Sequence, residues 1–515
     1  MPTTRFPRYF NIFHDKGAFA GLFFAALWAA ACSSPPSYPT SPTETPPSIR
    51  PNAPGDLAPP LFTEEKRNSV FAGVAQITGT GFAPGMGPTC TGFLLDTSAP
   101  NAPAYVITNG HCVDILDAIT VLSGFPADGL ASFARFANPE GTVAPNTIDV
   151  RVNEIAWASM RGTDTAVLRL DRTLGSLTEA GIPSYRIRGF AKPGEAVHVV
   201  GIPIDGVPSE QQVLRRVDCT AHAPSRLLEH VWLWDQSQGG DCWGIRQGSS
   251  GSPVFDRNQQ VVGVLNTTTI GAEKGGECYL GNPCEVGPAG TLHRDNTSYW
   301  MSLGELPGCF DDKGVFSLEQ AGCPLEAGPP YQVLNANAYA RPPAHFSLTV
   351  NSTATDPIVF KTGPLETTDC RSPEGYGGSL EMGALYEAEI NASKGHVLFC
   401  ATGKNSDGQL ALRQTGFAVV EIDTTAPVRP IQLTVTTDEN GALYEPVFSL
   451  PELASFRIKH GPTDTIDCAN PEGYRDYAVV PVRVPSAELP VRVCVIGADL
   501  AGNPSPPSSF PIPHP

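Results

Sequence analysis

The strongest constraint on how this chain folds is a repeat. "KTGPLETTDCRSPEGY" begins at Lys361 and "KHGPTDTIDCANPEGY" at Lys459, and each is followed by an apolar run with a second cysteine, "VLFCATG" and "VRVCVIG". Two copies in the same order require two tandem modules, 331–426 and 427–515. Each places two cysteines within reach, Cys370 with Cys400 and Cys468 with Cys494. The other cysteines fall into sequence-near pairs as well: Cys90 with Cys112, Cys219 with Cys242, Cys278 with Cys284, and Cys309 with Cys323. Of thirteen cysteines this leaves Cys32 alone. An even remainder of this kind is expected to be disulfide-bonded in an exported chain.

The first 32 residues support export. Arg5, Arg8 and Lys16 precede the apolar run "GAFAGLFFAALWAAAC", which is shorter than the ~20 residues a membrane-spanning helix needs. Its end resembles a bacterial lipobox, with Ala29 where leucine is more usual. That resemblance implies residues 1–32 as a lipoprotein-type signal and Cys32 as the lipid-modified first residue. It also implies an outer-membrane or cell-surface location in a Gram-negative bacterium, a periplasmic or secreted form being the other reading. Residues 33–62 are rich in proline, serine and threonine, which suits a semi-rigid spacer. The net charge of −18 opposes binding to nucleic acid, and no polybasic patch offers a membrane contact other than the lipid.

Residues 63–305 are short apolar runs divided by Gly, Pro and Asn turns: "TGFLLD", "AYVIT", "TAVLRL", "AVHVVGIP", "SPVFD", "VVGVLN". In "TAVLRL" Ala166, Leu168 and Leu170 share one face, with Val167 and Arg169 on the other. Period-two patterning of this kind predicts an all-β domain. Residues 306–330, with Cys309 and Cys323, read as a disulfide-stapled connector.

Four local features in this region could serve one chemistry. Serine-based amide hydrolysis needs a hydroxyl, an imidazole to take its proton, a carboxylate to orient the imidazole, and N–H donors for the oxyanion. "AYVITNGHCVD" carries His111 in a turn beside Cys112, and a Cys90 crosslink would pin that turn by about 3 kcal/mol. "GTDTAVLRL" sets Asp164 at the entrance of a strand, and "GSSGSPVFD" flanks Ser250 with Gly248 and Gly251. "VVGVLNTTT" and "GTLHRDNTSYW" follow. Each alone is an ordinary turn, cap or loop.

Together, and in this order, they resemble the trypsin-like serine peptidases over about 240 of the 515 residues. The resemblance implies a chymotrypsin-like double β-barrel, with His111 as general base and acid, Asp164 as orienting carboxylate and Ser250 as nucleophile. It implies Gly248 and Ser250 as the oxyanion hole, and Gly244, Gln247, Asn266, Thr267, Thr268 and Gly290 as substrate-binding positions. The two modules that follow look like small immunoglobulin-like β-sandwiches, each with an internal disulfide and without the tryptophan of antibody domains. Ser249 stands where trypsin has an aspartate that answers a freed N-terminus, so no such activation switch is expected. Gly244 gives a basic P1 residue no counter-charge, and Leu265 replaces the histidine of glutamyl-specific relatives, which leaves a small or apolar P1 preference. No metal or other cofactor is expected, and His198, His222 and His230 show no metal-ligand spacing. The expectation is a monomeric endopeptidase acting on proteins or peptides. Its rival is a catalytically silent member of the fold that binds or adheres at the cell surface through its modules.

Overall fold

The computed structural model describes residues 51–514 apart from 52, 82–86, 116, 273, 326–330 and 353–356. The signal segment, Cys32 and the spacer up to residue 50 lie outside the described residues. The short apolar runs become strands. β1 (Val74–Thr78), β2 (Cys90–Leu94), β3 (Pro103–Thr108), β4 (Val121–Phe133), β5 (Ile148–Ser159) and β6 (Thr165–Thr173) close a barrel in the order β1-β2-β3-β6-β5-β4. In β6, Ala166, Leu168 and Leu170 are buried as the alternation predicts and Arg169 is exposed. Val167 is buried too, because Trp157 of β5, itself buried, stands opposite it.

The second sheet has β7 (Ala196–Gly201), β8 (Arg215–Glu229), β9 (Trp232–Gly240), β10 (Pro253–Phe255), β11 (Val261–Thr268), β12 (Cys284–Gly287), β13 (Gly290–His293) and β14 (Ser298–Met301). Pairing of β8 with both β7 and β9 turns six of these strands back on themselves as a second barrel, with β12 and β13 added outside β8. One apolar cluster runs from the first barrel into the second: Phe93 packs on Tyr185, and Tyr185 on Phe255. A double β-barrel is therefore the architecture of this region, and among the described residues the chain is nearly all-β, with one short α-helix, α1 (Leu174–Glu179), and a few 3-10 turns.

Two borders differ from the sequence reading. Residues 53–62, expected to belong to the spacer, dock on the barrels: Ala58 and Leu61 are buried, the Leu61 N–H donates to the Leu214 carbonyl (2.8 Å), and the Arg215 guanidinium donates to the Ala58 carbonyl (2.8 Å). The connector also joins the first barrel, where Phe310 packs edge-on against Tyr105 and the Phe316 N–H donates to the Tyr105 hydroxyl (3.2 Å). Both segments are too rich in turn residues for their few buried side chains to stand out in sequence.

The repeat becomes two β-sandwiches. The first has β15 (Tyr331–Asn335), β17 (Ala344–Ser352) and β20 (Leu385–Ile390) facing β16 (Tyr339–Ala340), β18 (Ile358–Pro364), β19 (Gly377–Leu380), β21 (Gly395–Gly403) and β22 (Gly416–Ile422). Phe346 and Leu348 from one sheet meet Phe399 and Val420 from the other. The second has β23 (Leu433–Asp438), β24 (Gly441–Pro446) and β27 (Val482–Pro485) in one sheet. Its other sheet holds β25 (Ser455–Pro462), β26 (Arg475–Asp476), β28 (Val491–Ala498) and β29 (Ser508–Ile512). All six cysteine pairs are disulfides.

The repeated residues have a physical reason. In each copy the lysine ammonium donates to two loop carbonyls, Lys361 to Ser372 (2.8 Å) and Glu374 (2.9 Å), Lys459 to Asn470 (2.6 Å) and Glu472 (3.0 Å). It also lies over a tyrosine ring, Tyr376 or Tyr474, whose hydroxyl donates to the loop cysteine carbonyl at 2.8 Å. Lys, Cys and Tyr thus recur at fixed spacing because together they fold one loop.

Candidate active site

Strand β3 ends at Thr108, and the chain turns through Asn109 and Gly110 into a single 3-10 turn at His111. Three bonds lock this turn to the residue that precedes β6. The Asn109 side-chain amide donates to the Asp164 carbonyl (2.8 Å), the His111 N–H donates to Asp164 Oδ1 (3.0 Å), and His111 Nδ1 lies 2.7 Å from Asp164 Oδ2. The Asp164 carboxylate is fully buried, while a quarter of the His111 side chain is exposed. Both carboxylate oxygens are thus committed to one histidine, which fixes the imidazole and keeps the Nδ1 side facing inward. Burial works against a charged imidazolium here, but the Asp164 charge and hydrogen bond outweigh it, and the His111 pKa is raised above its usual value.

Ser250 sits in the loop between β9 and β10, and its carbonyl accepts the Thr91 N–H (2.7 Å). The following residue has to be glycine. Gly251 has φ +85°, and a Cβ there would stand 1.9 Å from the Thr91 carbonyl oxygen and 2.2 Å from Thr108 Oγ1. The Ser250 turn is therefore pressed against the ends of β2 and β3, the strands that deliver Cys90 and His111. The Cys90–Cys112 disulfide ties the same two places. Neither Ser250 Oγ nor His111 Nε2 has a hydrogen-bond partner among the described residues. In this loop the N–H of Ser249 donates to Arg246 (3.0 Å) and that of Gly251 to Leu265 (2.8 Å), whereas those of Gly248 and Ser250 meet no acceptor among the described residues. Two free donors flanking a serine are what an oxyanion site requires.

The substrate-binding positions separate into three places. Asn266, Thr267 and Thr268 lie together at the end of β11, and the Asn266 amide nitrogen is buried without a partner among the described residues. Leu265 points into the second barrel's core. Gly244 is buried beneath Pro51 and Ala58, its N–H donating to the Pro54 carbonyl (3.2 Å), while Arg246 nearby donates to the Gly55 carbonyl (2.8 Å). The side chain of Gln247 is exposed and its carbonyl accepts the Ile204 N–H (2.8 Å). Gly290 is on a different element from the others, at the β12–β13 hairpin, which pairs with β8 and not with β11.

One buried acid was not anticipated. Glu229, the last residue of β8, is 6% exposed, and its Oε1 accepts the Gly281 N–H (2.8 Å). Burial pushes its pKa up to about 7, against the Gly281 and Thr267 hydrogen bonds and the nearby His111 charge. Nothing in "SRLLEHVW" sets this glutamate apart from a surface one. Two of the three histidines without metal spacing are held by other groups. His198 is enclosed by Phe71 and Phe255 and His230 is bonded to the Tyr339 hydroxyl (2.6 Å), and burial lowers both pKa values to about 4. Cys90, His111 and Cys112 place possible ligand atoms within 4.8 Å of one another, but both sulfurs are spent in the disulfide and offer no thiolate.

Residues 90–264 match the profile of the trypsin-like peptidase domain. That match covers 175 of the 515 residues. Strands β2 to β10, both members of the His111–Asp164 pair and Ser250 fall within the matched residues. Solved structures similar to the chain include a Glu endopeptidase, 20% identical, covering 48% of this chain and 91% of its own, with a TM-score of 0.31. The protease domain of MamO from Magnetospirillum magneticum is 14% identical over 48% of this chain and 100% of its own, TM-score 0.30. An inactivated protease paralogue of the scabies mite is 13% identical over 45% and 88%, TM-score 0.30. No curated protein matches the sequence.

Proposed function

We propose that the trypsin-like peptidase domain is an active serine endopeptidase with His111, Asp164 and Ser250 as its triad. The observation that carries this reading is the buried Asp164 carboxylate bonded at 2.7 Å to Nδ1 of a partly exposed His111. In the reaction, His111 Nε2 takes the Ser250 proton as Oγ bonds to the scissile carbonyl carbon, and the carbonyl π electrons move onto its oxygen. The N–H groups of Gly248 and Ser250 stabilise that oxyanion, a contribution of about 2.7–4 kcal/mol per donor in comparable sites. Collapse re-forms the carbonyl and breaks the C–N bond, and the amine leaves with the proton from His111. Water then repeats the sequence on the ester and releases Ser250.

Gly244 and Leu265 bring no charge to the positions expected to read P1, which supports a small or apolar preference. A cleavage profile of a peptide library by residues 33–515 tests activity and preference together. Cuts after small or apolar residues are expected; no cut anywhere in the library contradicts the enzyme reading, and cuts confined to Lys, Arg or Glu contradict the preference.

We further propose that the chain is exported and held by a lipid on Cys32. No helix among the described residues is long and apolar enough to cross a membrane. Cells expressing the chain are expected to incorporate radiolabelled palmitate into it, and Cys32→Ala to abolish the label and move the protein from the membrane to the soluble fraction. Equal labelling of the variant would overturn the assignment.

A further inference from the structure

The two β-sandwiches come from one repeat yet differ on one face. In β21, Val397, Phe399 and Ala401 fill the first sandwich's own core, while Leu398 and Cys400 point the other way. The equivalent residue to Leu398 in the second copy is Arg492, counted from the shared cysteines Cys400 and Cys494. Across the sheet, Phe417 pairs with Cys400 where Ser509 pairs with Cys494, and Val419 pairs with Leu398 where Pro511 pairs with Arg492. An outer sheet face in a free-standing sandwich is polar, as in the second copy. In the first it is apolar, and it is covered: Leu398, Val419 and Leu365 share one buried cluster with Leu228 and Leu233 of the peptidase strands β8 and β9.

Polar contacts around this interface converge on one loop. Arg226 of β8 donates to the carbonyls of Leu365 (3.2 Å) and Thr368 (3.4 Å) and pairs with Asp235 (3.3 Å), which Arg371 of the sandwich also meets (3.4 Å). The Asp235 N–H donates to the Gly162 carbonyl (3.3 Å), and Trp234 Nε1 to the Met160 carbonyl (3.0 Å). Arg161 itself donates to the Thr415 carbonyl of the sandwich. Residues 160–164 form the short loop from β5 to β6, and its last residue is Asp164. Surface ion pairs of this kind contribute little singly. Here they act, together with β9, on one side of the loop, while the opposite side is held by His111 and Asn109.

We propose that the first sandwich is a working part of the peptidase that holds the Asp164 loop in place, with Arg161 as a positioning residue. This rests on the triad reading above. It makes the two copies unequal: the first is a brace on the Asp164 loop, whereas the second meets the peptidase region elsewhere, where Arg429 donates to the Lys274 carbonyl (3.4 Å). Misplacement of a catalytic group by about 1 Å can cost about 100-fold in rate. Arg161→Ala in the full chain is therefore expected to lower kcat on a short peptide about 10- to 100-fold with KM nearly unchanged. The acid limb of its pH profile moves to lower pH as Asp164 loses its hold on His111, and Arg161→Lys restores most of the rate. A wild-type kcat and pH profile in Arg161→Ala would overturn the proposal. Leu398→Arg, which copies the second module's residue and leaves the Phe399 face intact, is a second route to the same loss. A Leu398→Arg protein that is folded and fully active would equally overturn it. Labelling by a fluorophosphonate separates the two levels: an unlabelled wild type removes the triad reading, whereas equal labelling rates in wild type and Arg161→Ala remove only the brace.

Discussion

Ser250→Ala is expected to lower kcat/KM by roughly 10⁴- to 10⁶-fold while leaving the fold and its thermal transition unchanged. The loss is large because the covalent bond to the substrate carbon is made by Ser250 Oγ, and what remains is the rate from binding and oxyanion stabilisation alone. The fold is spared because what anchors the turn is backbone. The Ser250 carbonyl still accepts the Thr91 N–H, and Gly251 keeps its contact with Thr108. Ser250 Oγ has no hydrogen bond among the described residues to lose. Steady-state kinetics on one peptide substrate, with circular dichroism as the folding control, checks both halves. A variant within tenfold of wild type would mean that Ser250 is not the nucleophile.

Asp164→Asn is expected to lower kcat about 10⁴-fold. Asp164 uses one oxygen for the His111 N–H and the other for Nδ1. An asparagine has a single oxygen; if that oxygen keeps the backbone N–H, the amide NH₂ faces Nδ1, which must then accept. The ring proton moves to Nε2, where the base should be free. The charge also matters for pH. Asp164 raises the His111 pKa, and a base works only when neutral, so wild-type activity falls as pH drops through a value above the ordinary 6.5. Without the carboxylate, the residual activity should persist to lower pH. A kcat/KM profile from pH 5 to 9 on both proteins tests the direction; an acid limb that stays in place or rises would contradict it.

How far the sequence carries depends on whether a residue's partner is near it in the chain. The cysteine pairs are close in sequence, and all six form. Lys361, Cys370 and Tyr376 recur as Lys459, Cys468 and Tyr474 because their partners lie within one loop. His111, Asp164 and Ser250 are far apart, yet each is framed by local signals, a turn after a strand, a strand entrance and a glycine-flanked loop. Glu229 had no such frame, since its hydrogen-bond partners, Gly281 and Thr267, lie far from it in the chain. Residues 53–62 read as spacer because proline composition says nothing of a docking surface, and the buried Ala58 and Leu61 are two ordinary apolar residues. The face carrying Leu398 and Val419 is a different case. "VLFCATG" is apolar on both faces where "VRVCVIG" carries an arginine, so the signal existed in the comparison of the two copies, but only the interface gave it a meaning.

The central claim is that Ser250 is activated by the His111–Asp164 pair. The most direct measurement is reaction of the purified full chain with a fluorophosphonate, followed by mass spectrometry of the peptide that contains residues 246–256. One adduct per chain on Ser250, lost in Ser250→Ala and strongly slowed in Asp164→Asn, is the predicted result. No adduct, or an adduct on another residue at the same rate in all three proteins, would contradict it.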